Sequence, residues 1–141
     1  MSFLESLFSL KGKRAVVTGA ARGLGLAMTE GLLRADAHVA MVGSNEERLK
    51  EQAAIFESKG LPATPMTCDL GAPEQLAALI DNILAGGPVH VLVNNAGVTH
   101  TLSWPSIRTR HGAARLTSTS ARRFNWPAWS SRLLSVGTPC Q

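Results

Sequence analysis

The stretch Thr18-Gly19-Ala20-Ala21-Arg22-Gly23-Leu24-Gly25 constrains this chain more than any other. It follows an apolar run, Ala15-Val16-Val17, and leads into a helical pattern from Leu24 to Leu33. A strand, a glycine-rich turn and a helix, in that order, make a cradle for phosphate. Glycines let the backbone approach a pyrophosphate closely. The helix start adds free N–H groups and the positive end of the macrodipole. Gly19, Gly23 and Gly25 are spaced G-x-x-x-G-x-G. An ordinary β-α turn has glycines too, so the reading needs support from the rest of the chain.

The order of elements gives that support. Arg14–Thr18 reads as a first strand, apolar throughout as in a sheet covered on both faces. Residues 23–35 read as a helix with Leu24, Ala27, Met28, Leu32 and Ala35 on one face. A second strand is expected over 38–42. Asn45 is placed to cap the next helix, Glu46 and Glu47 suit its first turn, and Gly60 ends it. A third strand spans 63–67, around Pro65. Pro73 suits the first turn of a third helix, to about residue 84, and Gly86-Gly87-Pro88 breaks it. A fourth strand is expected over 89–93. Short connections with right-handed crossovers make these strands parallel, in the spatial order 3-2-1-4, with helices on both faces.

The pattern then stops. Val98 to Gln141 carries no sustained period of two or 3.6. All ten acidic residues lie in the first 98 positions with eight basic ones, a net charge of −2; residues 99–141 hold six arginines, no lysine and no acid, a net charge of +6. All three tryptophans, Trp104, Trp126 and Trp129, lie there too. Cys68 and Cys140 have no metal-ligand spacing, which fits a reduced, cytoplasmic protein. No run is long and apolar enough for a bilayer span, and the start of the chain shows no signal-peptide pattern.

Two further motifs, Cys68-Asp69-Leu70 after the third strand and Asn94-Asn95-Ala96-Gly97 after the fourth, complete a resemblance. With the glycine turn they resemble the short-chain dehydrogenase/reductase family, over about residues 10 to 98. The resemblance implies the N-terminal half of a doubly wound parallel (Rossmann) sheet and a dinucleotide cofactor, NAD or NADP. It implies an NAD(P)-dependent oxidoreductase that oxidises an alcohol or reduces a ketone. The opening Leu7-Phe8-Ser9-Leu10-Lys11-Gly12-Lys13 is similar to members acting on sugar acids such as gluconate. The implied cofactor-binding residues are Thr18, Gly19, Arg22, Gly23, Leu24 and Gly25 in the turn, Ser44 after the second strand, Asp69 and Leu70 after the third, and Asn95, Ala96 and Gly97 after the fourth. Asp69 would accept a hydrogen bond from the adenine amino group, where a plain turn aspartate is the bland alternative. Thr18 would shape the turn, its hydroxyl satisfying a backbone group. Both asparagines would bridge neighbouring strands.

The end of the second strand decides between the two cofactors. An acid there would bind the ribose 2′-hydroxyl and select NAD. Val42-Gly43-Ser44-Asn45 contains none, and Arg22 could meet a 2′-phosphate with Ser44 or Asn45 helping, so the expectation leans to NADP.

The family's chemistry comes from an asparagine in the helix after strand 4, a serine after strand 5 and a Tyr-x-x-x-Lys pair. The tyrosine moves the proton and the lysine lowers its pKa. This chain has no tyrosine and no lysine after Lys59, so no catalytic residue is assigned and the chain is expected to be inactive as it stands. The codons for Phe124-Asn125-Trp126-Pro127, read from each third base, force Leu-Ala after Gln or a stop. Extended back to Ser118, third bases exist that give Asn-Val-Arg-Ala-Pro-Phe-Gln-Leu-Ala, similar to the family's helix after strand 4. The sequence therefore divides at residue 98: a partial dinucleotide-binding domain over 1–98, and over 99–141 an out-of-frame tail, expected to lack order. The helices through which family members form homo-oligomers are expected to be missing with it. The alternative is a nucleotide-binding fragment whose basic, tryptophan-bearing tail contacts nucleic acid, although no nucleic-acid-binding motif accompanies it.

Overall fold

The computed structural model describes residues 7–97. The expected tail, with its three tryptophans, lies outside the described residues. Seven elements alternate: β1 (Arg14–Thr18), α1 (Gly23–Arg34), β2 (His38–Gly43), α2 (Glu46–Ser58), β3 (Ala63–Thr67), α3 (Pro73–Ala85) and β4 (Val91–Asn94). The four strands form one sheet in the order β3-β2-β1-β4, and every pairing is parallel. In register, Ala15 faces Val39 on one side and Val91 on the other.

Two apolar clusters hold the layers together. Val17, Val39 and Met41 meet Leu33 of α1 and Leu49, Ala53 and Phe56 of α2 on one face. Val16, Ala40 and Val42 meet Leu79, Ile80 and Ile83 of α3 on the other. The continuous apolar runs of β1 and β2 follow from this covering of both faces. Among the described residues no helix is long and apolar enough to cross a membrane.

Local chemistry sets the ends. The Asn45 carboxamide oxygen accepts the Arg48 N–H at 2.9 Å, capping α2. Pro73 stands in the first turn of α3. Gly60, with φ of 73°, closes α2 in the left-handed region that favours glycine. Asp36, with φ of 70°, makes the turn between α1 and β2.

The structure departs from the sequence reading in two places. The buried side of α1 is Gly25, Thr29 and Leu33, not the stripe of Leu24, Ala27, Met28, Leu32 and Ala35. Leu24 is 65% exposed. The helix lies so close to the sheet that its contact face takes glycine and threonine; the buried Thr29 hydroxyl donates to the Gly25 carbonyl at 2.9 Å. The fourth strand also begins two residues later than its apolar run. Val89 turns into the second cluster, and His90 uses its side chain in place of the ladder. The Arg14 N–H donates to His90 Nδ1 at 3.1 Å, while the His90 N–H donates to the Arg14 carbonyl at 2.9 Å. The Arg14 guanidinium in turn donates to the carbonyls of Ile83 and Gly87, closing the end of α3 against β1.

Candidate dinucleotide-binding crevice

The carboxyl ends of β1 and β4 meet at Thr18 and Asn94, and the glycine turn leaves β1 at that point. Thr18 is buried and links the two motifs. Its hydroxyl oxygen accepts the N–H groups of Asn95 at 3.1 Å and Ala96 at 3.0 Å. The Asn95 carboxamide donates to the carbonyls of Thr18 and Gly19, both at 3.3 Å. The segment after β4 is thereby fastened to the turn after β1. The Ala20 N–H donates to the Val42 carbonyl at 3.2 Å, fastening the same turn to the end of β2.

Each motif glycine has its own reason. Gly19 has φ of 67°, and a Cβ there would stand 3.0 Å from Ala96 Cα. Gly25 is constrained by space alone: a Cβ would stand 2.2 Å from the Gly19 carbonyl oxygen. Gly23 has φ of 56°, and the space its Cβ would enter is open. Arg22, in extended conformation at the start of α1, makes no side-chain cap. The first N–H groups of α1 thus have no side-chain acceptor at the cap position, at the positive end of the helix macrodipole. Arg22, Gly23 and Leu24 are all exposed.

The other candidate residues lie along the same carboxyl edge. Ser44 is exposed between β2 and α2. Asn45 has its oxygen committed to the α2 cap, so only its amide nitrogen is left for a ligand. Asp69 is exposed, and its Oδ1 accepts the Gly71 N–H at 2.9 Å while its own N–H donates to Gln75 Oε1 at 3.0 Å. That is the turn geometry the bland reading anticipates, with the second carboxylate oxygen still available to a ligand donor. Leu70 is half-buried against the second cluster. Ala96 and Gly97 are exposed at the mouth. Of the two asparagines only Asn95 bridges strands; Asn94 Oδ1 is buried without a hydrogen-bond partner among the described residues.

Sequence reasoning missed Gln75, whose amide oxygen holds the Asp69 backbone in place. It also under-read Thr18, whose single hydroxyl serves two N–H groups. Cys68, immediately before Asp69, is buried; burial pushes its thiol pKa up, and the Asp69 carboxylate adds to the rise. A second concavity, of about 420 Å³, lies between β3 and α3, lined by residues including Pro65, Thr67, Gln75 and Asn82.

The comparisons with known proteins agree with this geometry. Gluconate 5-dehydrogenase of Gluconobacter oxydans (strain 621H) is 43% identical over 96 residues, covering 65% of this chain and 36% of that protein. A metagenomic short-chain oxidoreductase solved in complex with NADP is 39% identical, with a TM-score of 0.61 over 63% of this chain and 41% of the other. L-Sorbose reductase of Gluconobacter frateurii, solved with NADPH and L-sorbose, is 31% identical, with a TM-score of 0.63 over 72% and 39%. This chain therefore spans little more than a third of the length of that curated relative. The short chain dehydrogenase profile matches residues 13–119, running past the described region. A sheet ordered 3-2-1-4, a glycine turn locked to Asn-Asn-Ala-Gly and a profile match over most of the sequence have one conclusion: the chain belongs to the short-chain dehydrogenase family.

Proposed function

We propose that residues 13–97 form the dinucleotide-binding half of an NAD(P)-dependent oxidoreductase, and that the cofactor is NADP in preference to NAD. The observation that carries the reading is the glycine turn, open at Gly23 and uncapped at the start of α1, fastened to the segment after β4 by the hydrogen bonds between Thr18 and Asn95. In this proposal the pyrophosphate lies over Gly23 on the N–H groups of α1. Asp69 receives the adenine amino group on its free oxygen. Ala96 and Gly97 leave room for the cofactor against the backbone. Arg22 and Ser44 hold the 2′-phosphate, at a strand end with no acid to select a 2′-hydroxyl. Two structural relatives with bound NADP or NADPH support the lean.

The bound cofactor supplies hydride exchange with an alcohol or ketone; the sugar-acid and sugar relatives favour a polyhydroxylated substrate. This chain's own residues bind and orient. In this proposal they do not move the proton, because the sequence holds no tyrosine. General acid–base groups contribute about 10²–10⁴-fold, so the 141-residue chain alone turns over no alcohol or ketone. In this proposal residues 99–141 are an out-of-frame tail, and a gene restored to the inferred frame should encode in its place the helix that follows strand 4 in the family. Calorimetric titration of the chain and its Arg22→Ala variant with NADP and NAD tests the assignment. NADP should bind at least as tightly as NAD, and the variant should lose more affinity for NADP. Equal losses for both would remove Arg22 from the 2′-phosphate site.

A further inference from the structure

We propose that Gln75 is a positioning residue for the adenine end of the crevice. Its amide oxygen holds the Asp69 backbone so that one carboxylate oxygen of Asp69 is kept for the 6-amino group of the base. The proposal rests on the dinucleotide reading above and adds to it the residue that sets base specificity.

The chain leaves the sheet at Cys68, whose N–H makes the last bond to β2, donating to the Gly43 carbonyl at 2.9 Å. Backbone direction alternates along a strand, so the Asp69 N–H turns the other way, to the outer edge of the sheet, as positions 65 and 67 do. No strand pairs with that edge among the described residues. The Asp69 N–H is taken instead by Gln75 Oε1 at 3.0 Å, from six residues further along the chain.

The rest of Asp69 is fixed from the other side. Its carbonyl accepts the Ala72 N–H at 2.9 Å, and its Oδ1 accepts the Gly71 N–H at 2.9 Å. Donor, carbonyl and one carboxylate oxygen are thus all committed, and the second carboxylate oxygen is the group left over. The bond from Gln75 joins this turn to α3, so the position of that oxygen is tied to the helix as well as to the sheet.

The choice of partner sets Gln75 apart from a helix cap. Pro73 is the first residue of α3 and Gln75 the third. A glutamine at the third position ordinarily reaches back to the N–H of the cap residue. Here that residue is Ala72, which has no side-chain acceptor to offer and whose N–H is already given to Asp69. Gln75 passes over it and spends its oxygen on the residue the base would meet. It relieves none of the free N–H groups of its own helix.

A carboxylate oxygen accepts from a 6-amino group and repels a 6-carbonyl. The test is therefore calorimetric titration of the full chain with NADP and with its hypoxanthine analogue, in which a carbonyl replaces that amino group. The parent should prefer NADP by about tenfold or more. Gln75 is exposed, so its bond competes with water and its loss should be modest. Gln75→Ala should shrink the preference by about threefold to tenfold, mostly through weaker NADP binding. Gln75→Glu keeps an acceptor oxygen at the same reach and should restore it. Gln75→Met, of similar length and without the oxygen, should behave as the alanine variant does and serves if that one fails to fold. Asp69→Asn examines the underlying reading separately. It keeps Oδ1 for Gly71 and puts a donor in place of the free oxygen, so it should shift the preference toward the hypoxanthine analogue. If the parent does not discriminate, or Asp69→Asn leaves its preference unchanged, Asp69 does not read the base, and both the reading and the proposal fall. If Asp69→Asn shifts the preference while the Gln75 variants keep that of the parent, the proposal alone is overturned. Equal losses for both dinucleotides in Gln75→Ala would also overturn it, since they would show a structural role only.

Discussion

Gly25 and Gly31 sit on one helix and would answer the same substitution in opposite ways. A methyl at Gly25 would stand 2.2 Å from the Gly19 carbonyl oxygen and 2.5 Å from Asn95 Nδ2. Neither can retreat without opening the lock at Thr18. Gly25→Ala should therefore cost about 1–3 kcal/mol or more and abolish dinucleotide binding. A methyl at Gly31 meets nothing within 4 Å, so Gly31→Ala should stabilise by about 0.5–1 kcal/mol. Urea denaturation of both variants checks the pair. Cys68 gives a pH signature. Its folded thiol holds its proton more tightly than an unfolded one, so its contribution is fully present below the unfolded pKa and is lost as pH rises through the folded value. Urea midpoints should fall as pH rises above about 8.5, and Cys68→Ala should flatten that part of the slope. An unchanged slope would mean that another group carries it.

Elements differ in how plainly the sequence announces them. β1 and β3 are read to the residue, because turn residues and glycines bound them closely. The starts of α2 and α3 are equally plain: Asn45 caps the one and Pro73 stands in the first turn of the other. The buried side of α1 is not legible from periodicity. Close approach to a carbonyl selects Gly25, and a satisfied hydroxyl allows Thr29, whereas a periodicity count looks for bulk. The start of β4 fails for a similar reason, since only a contact across the fold lets His90 replace a backbone acceptor. At the crevice, the glycines, Thr18 and Asn95 are legible as motifs, but the hydroxyl that joins them is a long-range contact that no spacing shows. The edge strand β3 carries its own prediction. Pro65→Val restores the outward donor on a strand of high β-propensity. The variant should aggregate faster than the parent on mild heating, measured by light scattering. Equal rates would show that β3 is guarded by something else.

At the scale of the molecule, the proposed cofactor crevice lies where ligands bind in an open parallel sheet, at the point where the strand order reverses. That point lies between β1 and β4, and both strands are within the described residues. In the proposed reading the described residues bind and orient the cofactor, and no catalytic residue is assigned among them. Nitrogen-15 amide spectra recorded as NADP is added to the full chain test this most directly. Shifts should appear first at residues 19–25 and at Asn95, Ala96 and Gly97, with smaller ones at Ser44 and Asp69. Spectra that do not change, or shifts confined to the concavity between β3 and α3, would contradict it.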